Sequence, residues 1–335
     1  MNTNKTIATR TRTRARTRVF ALTLTAAAAV AACGGGSDSS SDQPQTVSVQ
    51  FAVTNGSTPV KCGDTLTGLG TTQASAAVHD LRFYITNLAL VNDQGVAVPV
   101  TLDANEWQLT RGGETVSLID LEDATGACDT ATNTKETHAA ITGTVPAGTY
   151  VGLKATMGVP DQLNHSAIAG GAAPLDIAAM AWSWQSGRKF AKLELDPVGG
   201  LTTAPSVSNP HGGTGSTFYL HIGSTGCAAR TDANGAAVLD SAGNPTYSCA
   251  APNLMDFSLA AFNPSSQQVV LDLGQLLSGS DITQDGGGAP GCMSGTTDPE
   301  CPAIFNQLQI NFGAGADGLP INGGAAQKIF RAAAK

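Results

Sequence analysis

The stretch VSVQFAVTNG at residues 47–56 decides the fold class. Its large apolar residues occupy every second position from Val47 to Val53, and a period of two is that of a β-strand with one buried face. Asn55 and Gly56 follow directly, and this dipeptide is a strong signal for a tight hairpin turn. We therefore predict that the ordered part of the protein begins with a β-hairpin.

Runs with a similar pattern recur along the chain, at about 79–91, 96–102, 115–121, 140–145, 149–157, 179–195, 217–222, 254–262 and 268–273. The segment Pro146–Thr149 separates two of them, which predicts a hairpin with a four-residue loop. Short helices are predicted at about 273–279 and 302–309. Short strands at this spacing indicate an all-β protein, a single β-sandwich or open-barrel-like domain with long Gly/Ser-rich loops.

The N-terminus has the features of an export signal. Basic residues precede an apolar run, Ala21 to Ala32, that is too short to cross a bilayer of about 30 Å as a helix. Small residues followed by Cys33 resemble a bacterial lipobox, whereas an ordinary cleavage site with a chance cysteine is the alternative. We predict lipidation of Cys33 and a periplasmic, lipid-anchored protein, and Gly34 after Cys33 favours the outer membrane.

Four segments follow from this organisation: a lipoprotein signal peptide over 1–32, a flexible tether over 33–45, one β domain over 46–313 and a weakly ordered tail over 314–335. The tether is rich in Gly, Ser and Asp, a composition typical of flexible linkers. We expect the membrane to be contacted through the lipid anchor.

The charge balance excludes one class of partner. The chain has 18 Lys and Arg against 26 Asp and Glu, a net charge of −8. Six basic residues lie within the first 20 positions, so removal of the signal leaves 12 basic against 26 acidic residues, or −14. A surface that is this acidic lacks the cations that displace counterions from phosphate, so we predict no nucleic-acid partner.

Six cysteines remain after Cys33, and an even number in an exported chain predicts disulfides, with 15 possible pairings. Proximity in the sequence suggests Cys227–Cys249 and Cys292–Cys301, which leaves Cys62–Cys128. No C-x-x-C arrangement is present, so zinc-site and thiol-redox interpretations are disfavoured.

The sequence also argues against catalysis. It has no G-x-S-x-G, no P-loop, no G-x-G-x-x-G after a strand and no H-E-x-x-H. We therefore predict that the protein is not an enzyme.

Unusual side chains are concentrated at Met180, Trp182 and Trp184. On a strand they would share one face and place a thioether beside two indoles. A core stripe of large residues is the ordinary interpretation, and a site for a soft cation or for electron transfer is the functional one.

Other candidate ligands are scattered. His221 lies in an apolar strand pattern and His165 lies at the start of a loop, and each is either a ligand or a hydrogen-bonded structural residue. Four acidic residues crowd the Gly-rich segment around Cys292, where a weak calcium-loop interpretation lacks EF-hand spacing and a solvated loop is favoured. They are Asp281, Asp285, Asp298 and Glu300.

Several motifs, in conserved order from about residue 47 to 315, together resemble the MbnP-like family, the metallo-mystery pair system four-Cys motif proteins of methanobactin operons. The motifs are Cys62-Gly63 with Gly68-Leu69-Gly70-Thr71-Thr72, Leu81-Arg82-Phe83-Tyr84-Ile85-Thr86-Asn87, Gly158-Val159-Pro160 with Leu163-Asn164-His165, Trp182-Ser183-Trp184-Gln185, His221-Ile222-Gly223-Ser224-Thr225-Gly226-Cys227 and Gly291-Cys292-Met293-Ser294-Gly295.

The resemblance implies a copper-binding protein whose partner is MbnH, a di-haem enzyme of the bacterial cytochrome c peroxidase/MauG superfamily. That enzyme oxidises the first Trp of a W-x-W motif to kynurenine, which then helps to bind Cu(I) with a His, a Met and solvent. By motif position the modified residue is Trp182. The expected ligands are His221 and Met180, followed by His165 and Met293, and Trp184 would relay oxidation or pack beneath the site. The implied role is copper homeostasis.

A second hypothesis belongs to another functional class. A surface β-sandwich lipoprotein could bind glycan or a protein partner through a stacking platform made of Trp182 and Trp184. Metal would then be irrelevant, and exposed indole faces would be required.

Overall fold

The computed structural model describes residues 43–182, 187–205, 210–240, 243–288 and 290–335. The predicted signal peptide, Cys33, most of the tether and Trp184 lie outside the described residues. Residues Ser41–Lys335 form one compact unit. Within the part of the chain that is described, no helix has the length and apolar character needed to cross a membrane.

The first ten strands are β1 (Gln45–Asn55), β2 (Thr58–Val60), β3 (Thr65–Leu69), β4 (Ala74–Asn92), β5 (Ala97–Pro99), β6 (Thr101–Leu102), β7 (Gln108–Arg111), β8 (Glu114–Asp120), β9 (Ala140–Val145) and β10 (Tyr150–Met157). The remaining strands are β11 (Ala191–Pro197), β12 (Leu201–Thr203), β13 (Gly213–Gly215), β14 (Phe218–Ile222), β15 (Thr225–Ala229), β16 (Tyr247–Ala251), β17 (Met255–Leu259), β18 (Gln267–Asp272), β19 (Gln284–Asp285), β20 (Gly291–Cys292) and β21 (Phe330–Ala334).

Helices are few and short. The α-helices are α1 (Asp161–Asn164), α2 (Leu273–Leu276) and α3 (Cys301–Leu308), and 3-10 turns occur at Gly126–Cys128, Ala178–Met180 and Ile321–Gly324. Helices α2 and α3 confirm the two predicted near residues 273 and 302. The side chain of Asp272 caps α2 by accepting a hydrogen bond from the amide of Gln275.

The architecture is an all-β sandwich, as the alternating pattern predicts. The larger sheet has the strand order β17-β10-β4-β11-β14-β20, and the smaller sheet has the order β21-β18-β1-β9-β6. Strand β1 is central in the smaller sheet, where it pairs in parallel with β18 and antiparallel with β9. Its alternating apolar side chains are buried, so the first predicted strand is confirmed.

Aromatic contacts join the two sheets. Phe51 of β1 packs edge-on against Phe83 of β4, with ring centroids 6.2 Å apart. Phe83 in turn contacts Phe330 of β21 at 6.1 Å, and Phe330 stacks on Phe257 of β17 at 4.1 Å. The core therefore lies between the inner faces of the sheets, as in other aligned sandwiches.

The predicted weakly ordered tail at 314–335 needs correction. Strand β21 pairs with β18 from Gln267↔Ala334 to Leu271↔Phe330, and Ile329 and Phe330 are buried in the core. Alanine-rich sequence hides this strand from pattern reasoning, because only Ile329 and Phe330 carry large apolar side chains.

One predicted hairpin is present and another is wrong. Strand β2 pairs with β1 across the turn at Gly56, which has a φ of +61°. Strands β9 and β10 form as predicted around Pro146–Thr149, but β9 pairs with β1 and β6, whereas β10 pairs with β4 and β17. The chain therefore crosses from one sheet to the other between β9 and β10.

The predicted strand over 179–195 is also wrong in its first half. A 3-10 turn ends at Met180, and an isolated bridge then pairs Ala181 with Arg188. Gly187 has a φ of +120°, a conformation that other residues rarely adopt, and the regular strand begins only at Ala191. The 3-10 turn means that Met180 and Trp182 do not share the face of a continuous strand.

Three disulfides join Cys62 to Cys128, Cys227 to Cys249 and Cys292 to Cys301, the same pairs that the sequence suggests. The first and third are buried. The second links β15 and β16, which pair only with each other, and both of its cysteines are half-buried.

Candidate functional site

Trp182 is buried at one edge of the larger sheet, with a side chain only 6% exposed. Its indole N–H donates a hydrogen bond to the carbonyl oxygen of Arg188 at 3.0 Å. Gly223 lies so close that a Cβ there would be 2.8 Å from the indole Nε1. Glycine at 223 is therefore required for the indole to reach this position.

The imidazole of His221 packs against Trp182, with ring centroids 6.0 Å apart and planes 68° apart. His221 lies on β14, on the face opposite Leu220 and Ile222. It is 5% exposed, and its Nε2 lies 2.6 Å from Oε1 of Glu194 on the adjacent β11.

The protonation states of this pair follow from their surroundings. Burial opposes ionisation of Glu194, but the hydrogen bond with His221 and the charge of Lys192 lower the pKa of its carboxyl to about 2. Burial also lowers the pKa of His221, although its bond to Glu194 acts in the opposite direction. An ionised carboxylate can only accept, so Nε2 of a neutral His221 carries the proton and Nδ1 keeps its lone pair.

Neutral histidine held by a carboxylate is a common arrangement behind metal ligands. The carboxylate fixes the tautomer and the ring orientation, and it raises the basicity of the other nitrogen. In this tautomer, Nδ1 of His221 is the nitrogen that could coordinate a soft or borderline metal ion.

Glu194 also begins a row of buried charges across the sheet. Lys192 Nζ lies 3.0 Å from Glu194 and contacts Asp80 on β4, which in turn pairs with Arg82. Arg82 NH1 lies 3.6 Å from Glu122. Acids and bases alternate, so each buried charge has an opposite neighbour, as burial of ions requires. We call these five residues, Asp80, Arg82, Lys192, Glu194 and Glu122, the charged row.

Cations also lie beside the indole. Lys189 Nζ is 6.0 Å from the centroid of the Trp182 ring and donates to the carbonyl oxygen of Ala179 at 3.0 Å. Burial, reinforced by the charge of Lys192, lowers the pKa of Lys189 to about 8. Near neutral pH this ammonium remains mostly charged.

The two candidate methionines have different environments. Met180 is fully buried in an apolar cluster with Tyr84, Leu163 and Phe190. Met293 is half-buried and follows Cys292, which pairs with Leu220 immediately before His221. The hydroxyl of the next residue, Ser294, donates to the His221 carbonyl and accepts from the Gly223 amide, both at 3.0 Å. The segment with Met293 is thus fastened beside His221.

His165 occupies a neighbouring position. A Cβ at Gly187 would lie 3.3 Å from Cε1 of His165, so this imidazole borders Gly187, which precedes Arg188, the hydrogen-bond partner of the Trp182 indole. The amide of Asn164 donates to Ser224 Oγ at 2.7 Å, and its oxygen accepts from the Arg188 amide at 2.7 Å. Asn164 thereby ties the His165 segment to both sides of the indole.

Two of the other histidines, His79 and His138, have structural partners. His79 Nδ1 lies 3.0 Å from Asp196, and His138 stacks on Trp107 with ring centroids 5.1 Å apart. His211 is exposed.

Three of the carboxylates considered for calcium accept hydrogen bonds from within the Gly-rich segment or from the neighbouring Thr72. Asp298 accepts from the amides of Met293 and Glu300, Glu300 accepts from Gly286, and Asp281 accepts from Thr72 and Thr283. This pattern favours a structured loop over a calcium site.

The burial of Trp182 also bears on the stacking-platform hypothesis. A glycan or partner that stacks on an indole needs an exposed ring face. With 6% exposure and Gly223 packed against it, Trp182 offers no such face.

The sequence predicted neither the charged row nor the role of Gly223, although Arg82 and Gly223 lie in the motifs quoted above. Lys192 and Glu194 alternate with leucines, a pattern that predicts a solvent-facing side, but both side chains are buried. The alternation of opposite charges between neighbouring strands was the available signal, and it becomes visible only when β4 and β11 are placed in register.

Comparisons with known proteins agree with this architecture. A family model described as MbnP matches residues 44–294. The solved structure of MbnP from Methylosinus trichosporium is similar, with 33% sequence identity and a TM-score of 0.74, and the match covers 87% of this chain and 99% of that chain. No curated protein sequence matches the chain.

Proposed function

The chain belongs to the MbnP family, a non-enzymatic accessory family associated with methanobactin, and we propose that it is a periplasmic, lipid-anchored protein that binds one Cu(I) beside Trp182. The observation that carries this proposal is the contact between Trp182 and a neutral His221 oriented by Glu194. The protein binds copper and is the substrate of a partner enzyme, and it has no catalysis of its own.

The donor set fits copper chemically. Neutral imidazole suits Cu(I), and a thioether selects a soft monovalent ion over harder divalent ions. His221 would supply Nδ1, and Met293 would supply the thioether from the adjacent segment. We assign Met293 in preference to Met180 because Met180 is enclosed by apolar side chains.

Trp182 would contribute after modification. Oxidative cleavage of the indole inserts two oxygen atoms across its C2–C3 bond, and hydrolysis then releases formate to leave an aryl amine and a ketone. These groups are donors that the indole lacks, and they would arise next to His221. The conversion is a four-electron oxidation. We assign this oxidation to a peroxide-consuming di-haem enzyme of the MauG type.

Burial of the indole limits how that enzyme could act. With 6% of its surface exposed, Trp182 is not accessible for direct contact with a haem edge. Oxidation would therefore proceed by electron transfer across the protein surface, for which Trp184, two residues away, is the proposed relay.

Co-expression with the partner enzyme tests the proposal. Intact mass should rise by about 4 Da relative to chain expressed alone, and only the co-expressed protein should retain one copper per chain. Trp182→Phe should abolish both the mass increase and the tight binding of copper. Trp107→Phe, a matched change at another tryptophan, should leave the mass increase and the copper binding unchanged. Copper bound equally well by Trp182→Phe after co-expression would refute the proposal.

Anchoring has its own test. Cys33→Ala should move the protein from the membrane fraction to the soluble periplasmic fraction, and labelled fatty acid should be incorporated only into the chain that retains Cys33. Membrane association that survives Cys33→Ala would contradict a lipid anchor.

A further inference from the structure

A second cluster of soft ligands lies next to the Trp182 site. Among the described residues, His165, Cys227 and Cys249 form the group of histidine, cysteine or acidic side chains whose ligand atoms all lie within 4.8 Å of one another. His165 Nε2 is 3.4 Å from Cys249 Sγ. The sulfurs are joined in a disulfide, so the cluster binds no metal while it is oxidised.

We propose that the Cys227–Cys249 disulfide is a redox gate, and that its reduction creates a Cu(I) site made of two thiolates and the imidazole of His165. This site is separate from the one assigned to His221 and Trp182. It would hold a metal only when a dithiol reductant has opened the bond.

Solvent access distinguishes the Cys227–Cys249 disulfide from the other two. Cys227 and Cys249 are half-buried on the β15–β16 hairpin, whose neighbouring residues are largely exposed. The other disulfides are enclosed, with all four of their cysteines at most 3% exposed. Thiol–disulfide exchange requires a thiolate to reach a sulfur, so a reductant in solution should open Cys227–Cys249 first.

The distance between His165 and the disulfide also suits metal coordination. Metal–sulfur bonds of about 2.3 Å and metal–nitrogen bonds of about 2.0 Å place the ligand atoms of one site about 3.5 Å apart. The separation of His165 Nε2 and Cys249 Sγ already matches this value. The two sulfurs would separate by rotation of their side chains, because Cys227 and Cys249 are opposite one another in the hairpin.

Neighbouring side chains hold the imidazole of His165 in place. Its ring stacks on Tyr247 of the same hairpin, with centroids 4.4 Å apart. The side chain of the preceding Asn164 is fixed by Ser224 and Arg188. The imidazole is thus held against the sulfurs from both sides, as a preorganised ligand is.

Reduction of the disulfide and binding of Cu(I) account for every electron and proton. A dithiol supplies two electrons and two protons, which cleave the S–S bond and give two thiols, while the dithiol becomes a disulfide. Cu(I) then displaces the two thiol protons, and thiolates are its preferred ligands.

The experiment uses chain expressed without the partner enzyme and carrying His221→Ala, so that the first copper site does not contribute. Limited treatment with dithiothreitol, followed by alkylation and peptide mapping, should label Cys227 and Cys249 before the other four cysteines. Reduced protein should then bind one Cu(I) per chain in competition with a chromophoric Cu(I) chelator, and oxidised protein should bind none.

Variants identify the ligands. Cys227→Ser with Cys249→Ser should abolish the reduced-state copper, and His165→Ala should weaken it by about tenfold or more. His211→Ala, a change at an exposed histidine, should leave it unchanged. Circular dichroism and thermal unfolding should show that each variant keeps the sandwich, because the hairpin lies outside the two main sheets.

Three results would overturn the inference. Simultaneous reduction of all three disulfides would remove the gate. If the reduced protein still bound Cu(I) after both Cys227 and Cys249 were replaced, the copper site would lie elsewhere. Binding of Zn²⁺ without Cu(I) would refute the choice of metal. None of these results affects copper binding at His221, which is tested in the co-expressed, oxidised protein.

Discussion

The two faces of the larger sheet are made by the same strands but have opposite chemistry. On the inner face, Leu81, Phe83 and Leu193 pack into the sandwich core. On the outer face, four residues of the charged row, Asp80, Arg82, Lys192 and Glu194, lie on β4 and β11, and Glu194 contacts His221, which packs against Trp182. Alternation along a strand thus lets one set of backbone hydrogen bonds support both a core and a candidate metal site.

Different interactions stabilise the two faces of the larger sheet. The inner face stabilises the fold through apolar burial, which is non-directional and tolerates changes of similar volume. The outer face contains buried ions that are stable only as a complete set, because removal of one partner leaves an uncompensated charge. Substitutions should therefore separate the faces by their effects on stability, acid sensitivity and copper.

The largest expected effect is on the inner face. Phe83→Ala removes a fully buried ring that contacts Phe51 and Phe330, and it should lower the free energy of unfolding by about 3–5 kcal/mol. Urea denaturation measures this loss. Val96→Ala, a change at a side chain that is 54% exposed, should cost no more than about 0.5 kcal/mol. Equal losses in the two variants would contradict the assigned core.

Met180 and Met293 should respond differently to truncation. Met180→Ala should lower the free energy of unfolding by about 2–5 kcal/mol because it empties an apolar cluster. Met293→Ala should lower the free energy of unfolding by about 1 kcal/mol or less, but it should abolish the tight binding of copper by the co-expressed protein. Denaturation and copper analysis of both variants give the answer, and the reverse pattern would return the ligand assignment to Met180.

Acid should weaken the outer face selectively. The pKa of Glu194 is about 2 in the folded protein, against an ordinary value of 4.5. Its stabilisation is therefore complete above about pH 4.5 and is lost as the pH falls towards 2, a change of about 3 kcal/mol. The free energy of unfolding measured across this range should decline less steeply in Glu194→Gln than in the parent. Parallel curves would show that Glu194 is not held ionised by its neighbours.

The smallest effect is on copper affinity through the carboxylate behind His221. Glu194→Gln can no longer fix the tautomer as an ionised acceptor, so copper affinity in the co-expressed protein should fall by about 10- to 100-fold. Competition with a Cu(I) chelator measures the change. The control is Glu136→Gln at an exposed position, and an unchanged affinity in Glu194→Gln would mean that another group orients His221.

Much of the fold could be predicted from local pattern. The alternation from Val47 to Val53 identifies the first strand, and spacing alone identifies the helices near residues 273 and 302. Pattern reasoning failed where pairing is distant: β21 pairs with a strand some sixty residues earlier in the chain, and β9 and β10 belong to different sheets. Periodicity reports which residues are buried, but it does not report which strands are neighbours.

The candidate site divides in the same way. The class of fold, the W-x-W motif and the resemblance to a copper-binding family could be recognised without coordinates, because they depend on residue identity and order. Folding fastened the segment of Met293 beside His221 through Ser294, enclosed Met180 in an apolar cluster and brought His165 against Cys249. Those relations are contacts between segments far apart in the chain, and they exist only after burial has fixed the register of the strands.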